Sequence, residues 1–503
     1  MSLKKQILAV AAVGALSAAT AVPAMALENE FHGNFRVRGI LSNFDDGGAG
    51  AVNLNGTNIS QATGAVVKTG EPNTNTYIEQ RLRLMYIAKA NDNLKLVTHF
   101  EFDSRFGDNS YNSNNSFRNN GGGVGADQTN LETKNIYLDF NLPSTPMNFK
   151  VGVQGFTDAY KGIIFNNDAA GVVATAKLQN ATINASFFRF DDAITVPANL
   201  TGAASGYLDA AAVGTNTQVG NLTRDFYNIG GKYNVSKDLS VGADYYALYS
   251  DVLKNLATPR TLINYVGANA AGNVGPASWS GFFLYQFGEL GGNFVNSAAN
   301  PDAASLAARQ IKRQSVSAFA ANLAGKCQAG PGTARITALY ISGSQGTGGD
   351  KRTDFQTIDE RGATTAGHTF FESNSMLFFR HPQATAGTDR ALVFDLNNSG
   401  KGIITAFAGY DLPLGKAFVN TNVGIGAVAK DNKNQINGMS KSGDSNILGY
   451  EGNVEVGYKV FDNLTTSLQG AYLVLGDFYK DAAANGKTPD NPYTARVVVN
   501  YVF

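Results

Sequence analysis

The sequence predicts an all-β fold: a transmembrane antiparallel β-barrel of about sixteen strands, with short periplasmic turns and long extracellular loops. Three observations carry this expectation. The chain opens with an export leader, it closes on a strand of period two that ends in Phe503, and between them short polar turns alternate with long polar links.

The leader comes first. Lys4 and Lys5 precede an apolar run from Ile7 to Val22, and Ala24-Met25-Ala26 supplies the small-x-small pattern of a cleavage site. Residues 1–26 therefore read as a signal peptide and are set aside. The run is too short and Ala-rich for a membrane anchor. Residues 27–503 form the barrel domain.

The closing strand alternates Tyr493, Ala495, Val497, Val499, Tyr501 and Phe503 with Thr494, Arg496 and Asn500. One face is apolar and the other mixed, as a strand between lipid and lumen requires.

Composition agrees. The 503 residues include 56 Gly, 31 Phe and 21 Tyr, but one Trp and 13 Pro. Glycine suits tight turns and lumen space, and aromatics suit lipid interfaces. Without Lys4 and Lys5 the balance is slightly acidic, which argues against a nucleic-acid partner. A single Cys327 forms no internal disulfide and reads as an incidental turn residue. No Cys-x-x-Cys-His tethers a haem.

Seven links read as hairpin turns: Asn91-Asp92-Asn93, Pro143–Pro146, Gln179-Asn180, Ser236-Lys237-Asp238, Gly325–Gly332, Pro413–Lys416 and Asp462-Asn463. Seven turns and eight loops join sixteen strands, from Asn34–Leu41 to Tyr493–Phe503. Gly281–Phe287 and Ser375–Arg380 could raise the number to eighteen, but neither alternates cleanly, so both are assigned to loops. The two longest loops, Ser250–Arg313 and Gln345–Gly402, are expected to fold over or into the mouth, or to remain solvated outside. In the first, Asn300-Pro301-Asp302 and Ala303–Gln310 read as a short helix.

Alternation then assigns faces. In the first strand Phe35, Val37 and Ile40 are apolar, and Asn34, Arg36 and Arg38 share the other face up to a slip near Gly39. In the second, Ile78, Leu82, Leu84 and Tyr86 face lipid and Glu79, Arg81 and Arg83 face inward. In the third, Lys95, His99, Glu101 and Asp103 face inward. A basic residue facing lipid at mid-depth costs about 2–4 kcal/mol, which disfavours the one-residue slip. Closure of last strand on first brings Arg496 beside Arg36, Arg38, Arg81 and Arg83, next to Glu101 and Asp103. Glu451 and Glu455 add acid elsewhere. These nine residues and Lys95 are the expected pore lining. They give a weak anion preference at the arginine wall, unless the arginines simply pair with their acidic neighbours.

Catalytic and metal motifs are missing. His32, His99, His368 and His381 have no metal-ligand spacing, and no nucleophile elbow, phosphate loop or dinucleotide motif occurs. Asp395-x-Asn397-x-Ser399-Gly400 starts like a calcium loop, but its twelfth position is Ala406. No cofactor is expected.

The leader, the hairpin rhythm and the terminal Tyr501-Val502-Phe503 resemble those of Gram-negative porins. Gly155–Gly171 and Phe370–Pro382 look like segments of porin-like outer-membrane proteins of metal-reducing deltaproteobacteria, of the OmpJ type. The resemblance implies an outer-membrane channel, embedded in outer-membrane lipid, for passive diffusion of small hydrophilic solutes or ions. It also implies a homotrimer and a pore narrowed by the third outer loop. Here that loop, Asp158–Asp168, is short, which shifts the expectation to the longer ones. The alternative is a sheath for a multihaem cytochrome, with periplasmic or surface cytochromes as partners. An outer-membrane enzyme ranks lowest.

Overall fold

The computed structural model describes residues 27–44, 74–108, 122–125, 131–192, 220, 223–251, 260–290, 314–344, 350–358, 370–383, 391–393, 395–398, 400–430, 445–480 and 491–503, and the backbone of 51–54, 57–60 and 66–69. The leader and the segment Ala303–Gln310 lie outside the described residues.

Eighteen antiparallel strands close into one barrel. In chain order they are β1 (Glu28–Ser42), β2 (Asn75–Asn91), β3 (Leu94–Arg105), β4 (Leu131–Asn141), β5 (Met147–Thr157), β6 (Asn166–Lys177), β7 (Ala181–Asp192), β8 (Thr223–Ser236), β9 (Leu239–Ser250), β10 (Thr261–Val274), β11 (Ala277–Leu290), β12 (Gln314–Ala329), β13 (Gly332–Ile341), β14 (Ile403–Leu414), β15 (Ala417–Ala427), β16 (Ile447–Phe461), β17 (Leu464–Leu475) and β18 (Tyr493–Val502). Each pairs with its neighbours in sequence, and β18 pairs with β1. The last residue joins the seam, with Gly33 N–H donating to the Phe503 carbonyl at 2.7 Å. A closed sheet leaves no unpaired edge, the condition for a β-structure in lipid. A three-stranded sheet (Ala51–Leu54, Thr57–Ser60, Val66–Thr69) lies in the β1–β2 link, and Lys351–Arg352 runs parallel to β12.

The number is eighteen rather than about sixteen because β10 and β11 lie in Ser250–Arg313, a segment that the sequence pattern assigns to a loop. Both strands carry apolar residues on both faces. In β11, Phe282 and Leu284 are buried inside while Phe283, Tyr285 and Phe287 are exposed outside. Alternation, the signal that marks a strand, is therefore erased. Their turn, Gly275-Pro276, places Gly275 at φ +57. Ser375–Arg380 forms no strand; it is a bent segment inside the barrel. The link Gly325–Gly332 contracts to Gly330-Pro331, so Cys327 sits in β12 rather than in a turn. The slip expected near Gly39 is absent: register runs unbroken from Asn34 to Ser42, and Ile40 is buried on the same face as Arg38.

One end of the barrel has turns of two to five residues, while the links at the other end run as long as 342–402. The outer wall exposes Ile136, Leu138, Val151, Val153, Ile229, Val266, Leu323, Val454 and Leu468. Aromatic pairs flank this apolar band. Phe31–Tyr86, Phe140–Phe149 and Tyr501–Phe503 mark the turn end, and Phe187–Tyr227 and Tyr285–Phe287 the other. Apolar belt and aromatic girdles are the dress of a bilayer-spanning barrel.

Candidate functional site: the constricted lumen

Two links fold inward and narrow the lumen. The first is the short stretch between β5 and β6, residues 158–165. Asp158 is buried, and its carboxylate accepts main-chain N–H from Tyr160 (2.7 Å), Gly162 (3.1 Å), Ile164 (2.6 Å) and Phe165 (2.7 Å). This one anion satisfies the donors of a tight loop that has no strand partner. The loop drives Tyr160, Ile163 and Ile164 into an apolar cluster with Phe188, Phe226, Tyr246 and Phe282. The expectation that so short a third loop would leave the narrowing to longer ones is corrected: it inserts because it is apolar at its tip.

The second is the β13–β14 link, one of the two long loops expected at the mouth. Its described pieces bury Phe355, Phe370, Leu377, Phe378, Phe379 and Leu396 in the barrel. Gln286 on β11 fixes Gln356 from both sides, donating to its carbonyl at 2.9 Å and accepting its N–H at 2.8 Å. Asn422 on β15 donates to the Ser373 carbonyl at 2.9 Å. Phe378 lies against Phe407 and over Gly426, where a Cβ would come within 1.9 Å of the ring.

The two links meet at mid-lumen. Lys161 Nζ of the first donates to Glu372 of the second at 2.5 Å, and also to Asn322 (2.5 Å) on β12 and Ser280 (3.1 Å) on β11. Thr337 on β13 donates to the same carboxylate at 3.2 Å. Sequence reasoning missed both partners. Lys161 sits in a short loop and Glu372 in a long one, and no periodicity links positions that far apart.

The residues singled out from sequence fall mainly on one wall, formed by β18, β1, β2 and β3. Opposite charges interleave there. Arg38 donates to one oxygen of Glu79 from both Nε, at 2.8 Å, and Nη2. Arg81 donates to Asp103 at 2.7 and 2.5 Å and lies 3.3 Å from Glu101, and Arg83 reaches Glu101 at 2.5 Å. Lys134 on β4 continues the row to Glu101 and, at 3.0 Å, to Asp168. Arg36, Arg38, Arg81, Glu101, Asp103 and Arg496 are buried, while the Arg83 side chain keeps 39% exposure. Lys95 pairs with Asp139 at 3.4 Å. Glu455 accepts from Asn420 (3.1 Å) and Gln469 (2.9 Å). Glu451 grips the second link, which Arg496 of the wall also reaches.

Below the junction of the two links, toward the turn end, a recess of about 860 Å³ remains open. Lys232, Asn234, Ser240, Asn273, Ser278, Ser280 and Lys326 line it, and Glu372 forms its inner end. No ion pair engages Lys232 or Lys326 among the described residues.

No protein-family model and no curated relative matches the chain. Solved structures do. The chain is similar to OccK8 (OprE) of Pseudomonas aeruginosa at TM-score 0.50 and 12% identity, over 95% of this chain and 98% of that one. It is similar to OccAB1 of Acinetobacter baumannii at TM-score 0.50 and 12% identity, over 94% and 96%. The chain shares the closed-barrel fold of these two structures. At this identity the likeness speaks for architecture, and it extends over nearly the whole of both chains. The narrower resemblance to proteins of metal-reducing deltaproteobacteria rests on the sequence segments alone, since these neighbours come from other genera. Nothing supports the cytochrome sheath, and the lumen holds the chain's own inward-folded links.

Proposed function

We propose that the chain is a channel of the Gram-negative outer membrane through which small hydrophilic solutes or ions diffuse passively, delivered there by the leader in residues 1–26. The observation that supports this best is a closed barrel with an apolar outside and a lumen that is narrowed yet keeps a polar recess. The turns would face the periplasm and the long links the cell exterior, as chain export favours for barrels of this kind.

Selectivity follows from where charge meets water. Arg38, Arg81 and Arg83 are matched by Glu79, Asp103 and Glu101, so their own field is largely cancelled. Lys232, Lys237 and Lys326 outnumber Asp238 and Glu372 around the open recess, no ion pair engages Lys232 or Lys326 among the described residues, and this excess supports a weak anion preference. The trimer implied by the porin resemblance is tested by crosslinking in native membranes.

The reading is tested by reconstituting the refolded protein in a planar bilayer under a salt gradient. Stepwise currents with a reversal potential on the anion side are expected, and Lys232→Gln with Lys326→Gln should move it toward cations. Heat-modifiable, inserted protein that never conducts would sink the proposal.

A further inference from the structure

We propose that Glu451 is a positioning residue of the pore: its carboxylate latches the second inward link in the lumen and so sets how wide the passage is. The inference rests on the channel reading.

At residues 374–380 the link is irregular backbone inside the barrel, and its N–H groups need acceptors there. At Ser375–Phe378 it bends so that successive donors converge. Glu451 on β16 accepts N–H from Met376 (2.7 Å), Leu377 (3.2 Å) and Phe378 (2.6 Å), and the Ser375 hydroxyl (2.7 Å). A concave set of N–H groups is built for an anion, and a carboxylate has enough lone pairs to serve it. The other polar ties run the opposite way. Asn422, Asn453 and Arg496 donate to the carbonyls of Ser373 (2.9 Å), Asn374 (3.1 Å) and Met376 (3.4 Å). Glu451 is therefore the wall's acceptor for this stretch, and Asn453 steadies it at 2.8 Å.

An amide in place of this carboxylate would point an NH2 at N–H groups and leave buried donors unmet. Withdrawal of the link releases them to water, so the change favours the withdrawn state over the seated one.

The test uses full-length protein in which Cys327→Ser removes the native thiol and Leu377→Cys, on the buried tip, reports seating. Labelling of folded barrels by a water-soluble maleimide should be slow with Glu451. It should be about tenfold faster in Glu451→Gln or Glu451→Ala, the scale set by one or more unmet buried hydrogen bonds. Formate should slow it again in Glu451→Ala by refilling the anion position, and should leave Glu451→Gln unchanged. The same variants in bilayers should show larger, noisier steps. Equal labelling rates in folded barrels with and without E451Q overturn the latch. Silent wild-type barrels with accelerated labelling in E451Q would instead remove the channel reading and keep the latch.

Discussion

Two kinds of buried charge act at the scale of single residues. Arg38, Arg81 and Arg83 each face a carboxylate, so removing one side leaves the other without compensation in a buried wall. Arg81→Met should destabilise the barrel by about 3–5 kcal/mol, read from urea unfolding in lipid, and Arg81→Met with Asp103→Leu should recover part of that loss. Asp158 differs. Burial of its carboxyl outweighs the four N–H donors and raises its pKa to about 6 from an ordinary 3.8. The folded state then holds a proton that the unfolded chain has released, so its contribution to stability is fully present below about pH 4 and is lost as pH rises to about 6. The size is about 3 kcal/mol, at 1.36 kcal/mol per unit. Unfolding midpoints should therefore fall across that window and level off above it. Asp158→Asn should abolish this slope while lowering stability overall; an unchanged slope would mean another group sets it.

At the scale of elements, strands and loops answer to different information. Where lipid lies outside and water or charge inside, as in β2 and β3, alternation in the sequence locates the strand and its faces: Glu79, Arg81 and Arg83 inside, Ile78 outside. Where the inside packs against an inserted link, as in β10 and β11, both faces are apolar and the pattern vanishes. The cause of that failure is the very feature that narrows the pore. The site was legible only in part for the same reason. Residues on adjacent strands, such as Arg81 and Asp103, could be brought together by register. Lys161 and Glu372 are joined by tertiary folding alone. Their contact ties the two inward links, so Lys161→Met should loosen both, raising single-channel conductance and its noise. A conductance equal to wild type would show that each link seats by its own apolar contacts.

For the whole molecule, closure is the pairing of β18 with β1, and Phe503 packs at this seam. A Cβ at Gly33 would lie 2.3 Å from the Phe503 ring and 2.8 Å from the Arg83 carbonyl. Gly33→Val should strain this seam by about 1–3 kcal/mol and lower the fraction of heat-modifiable protein on gels. The inward links add a condition in time. The segment around Ser373–Gln383 is held from β15, β16, β17 and β18 together, and β18 is the strand that completes the ring. Half-built barrels cannot offer that set of partners. The hold on this segment is therefore complete only once the ring is closed, so the width of the lumen is settled with the last strand and not with the first.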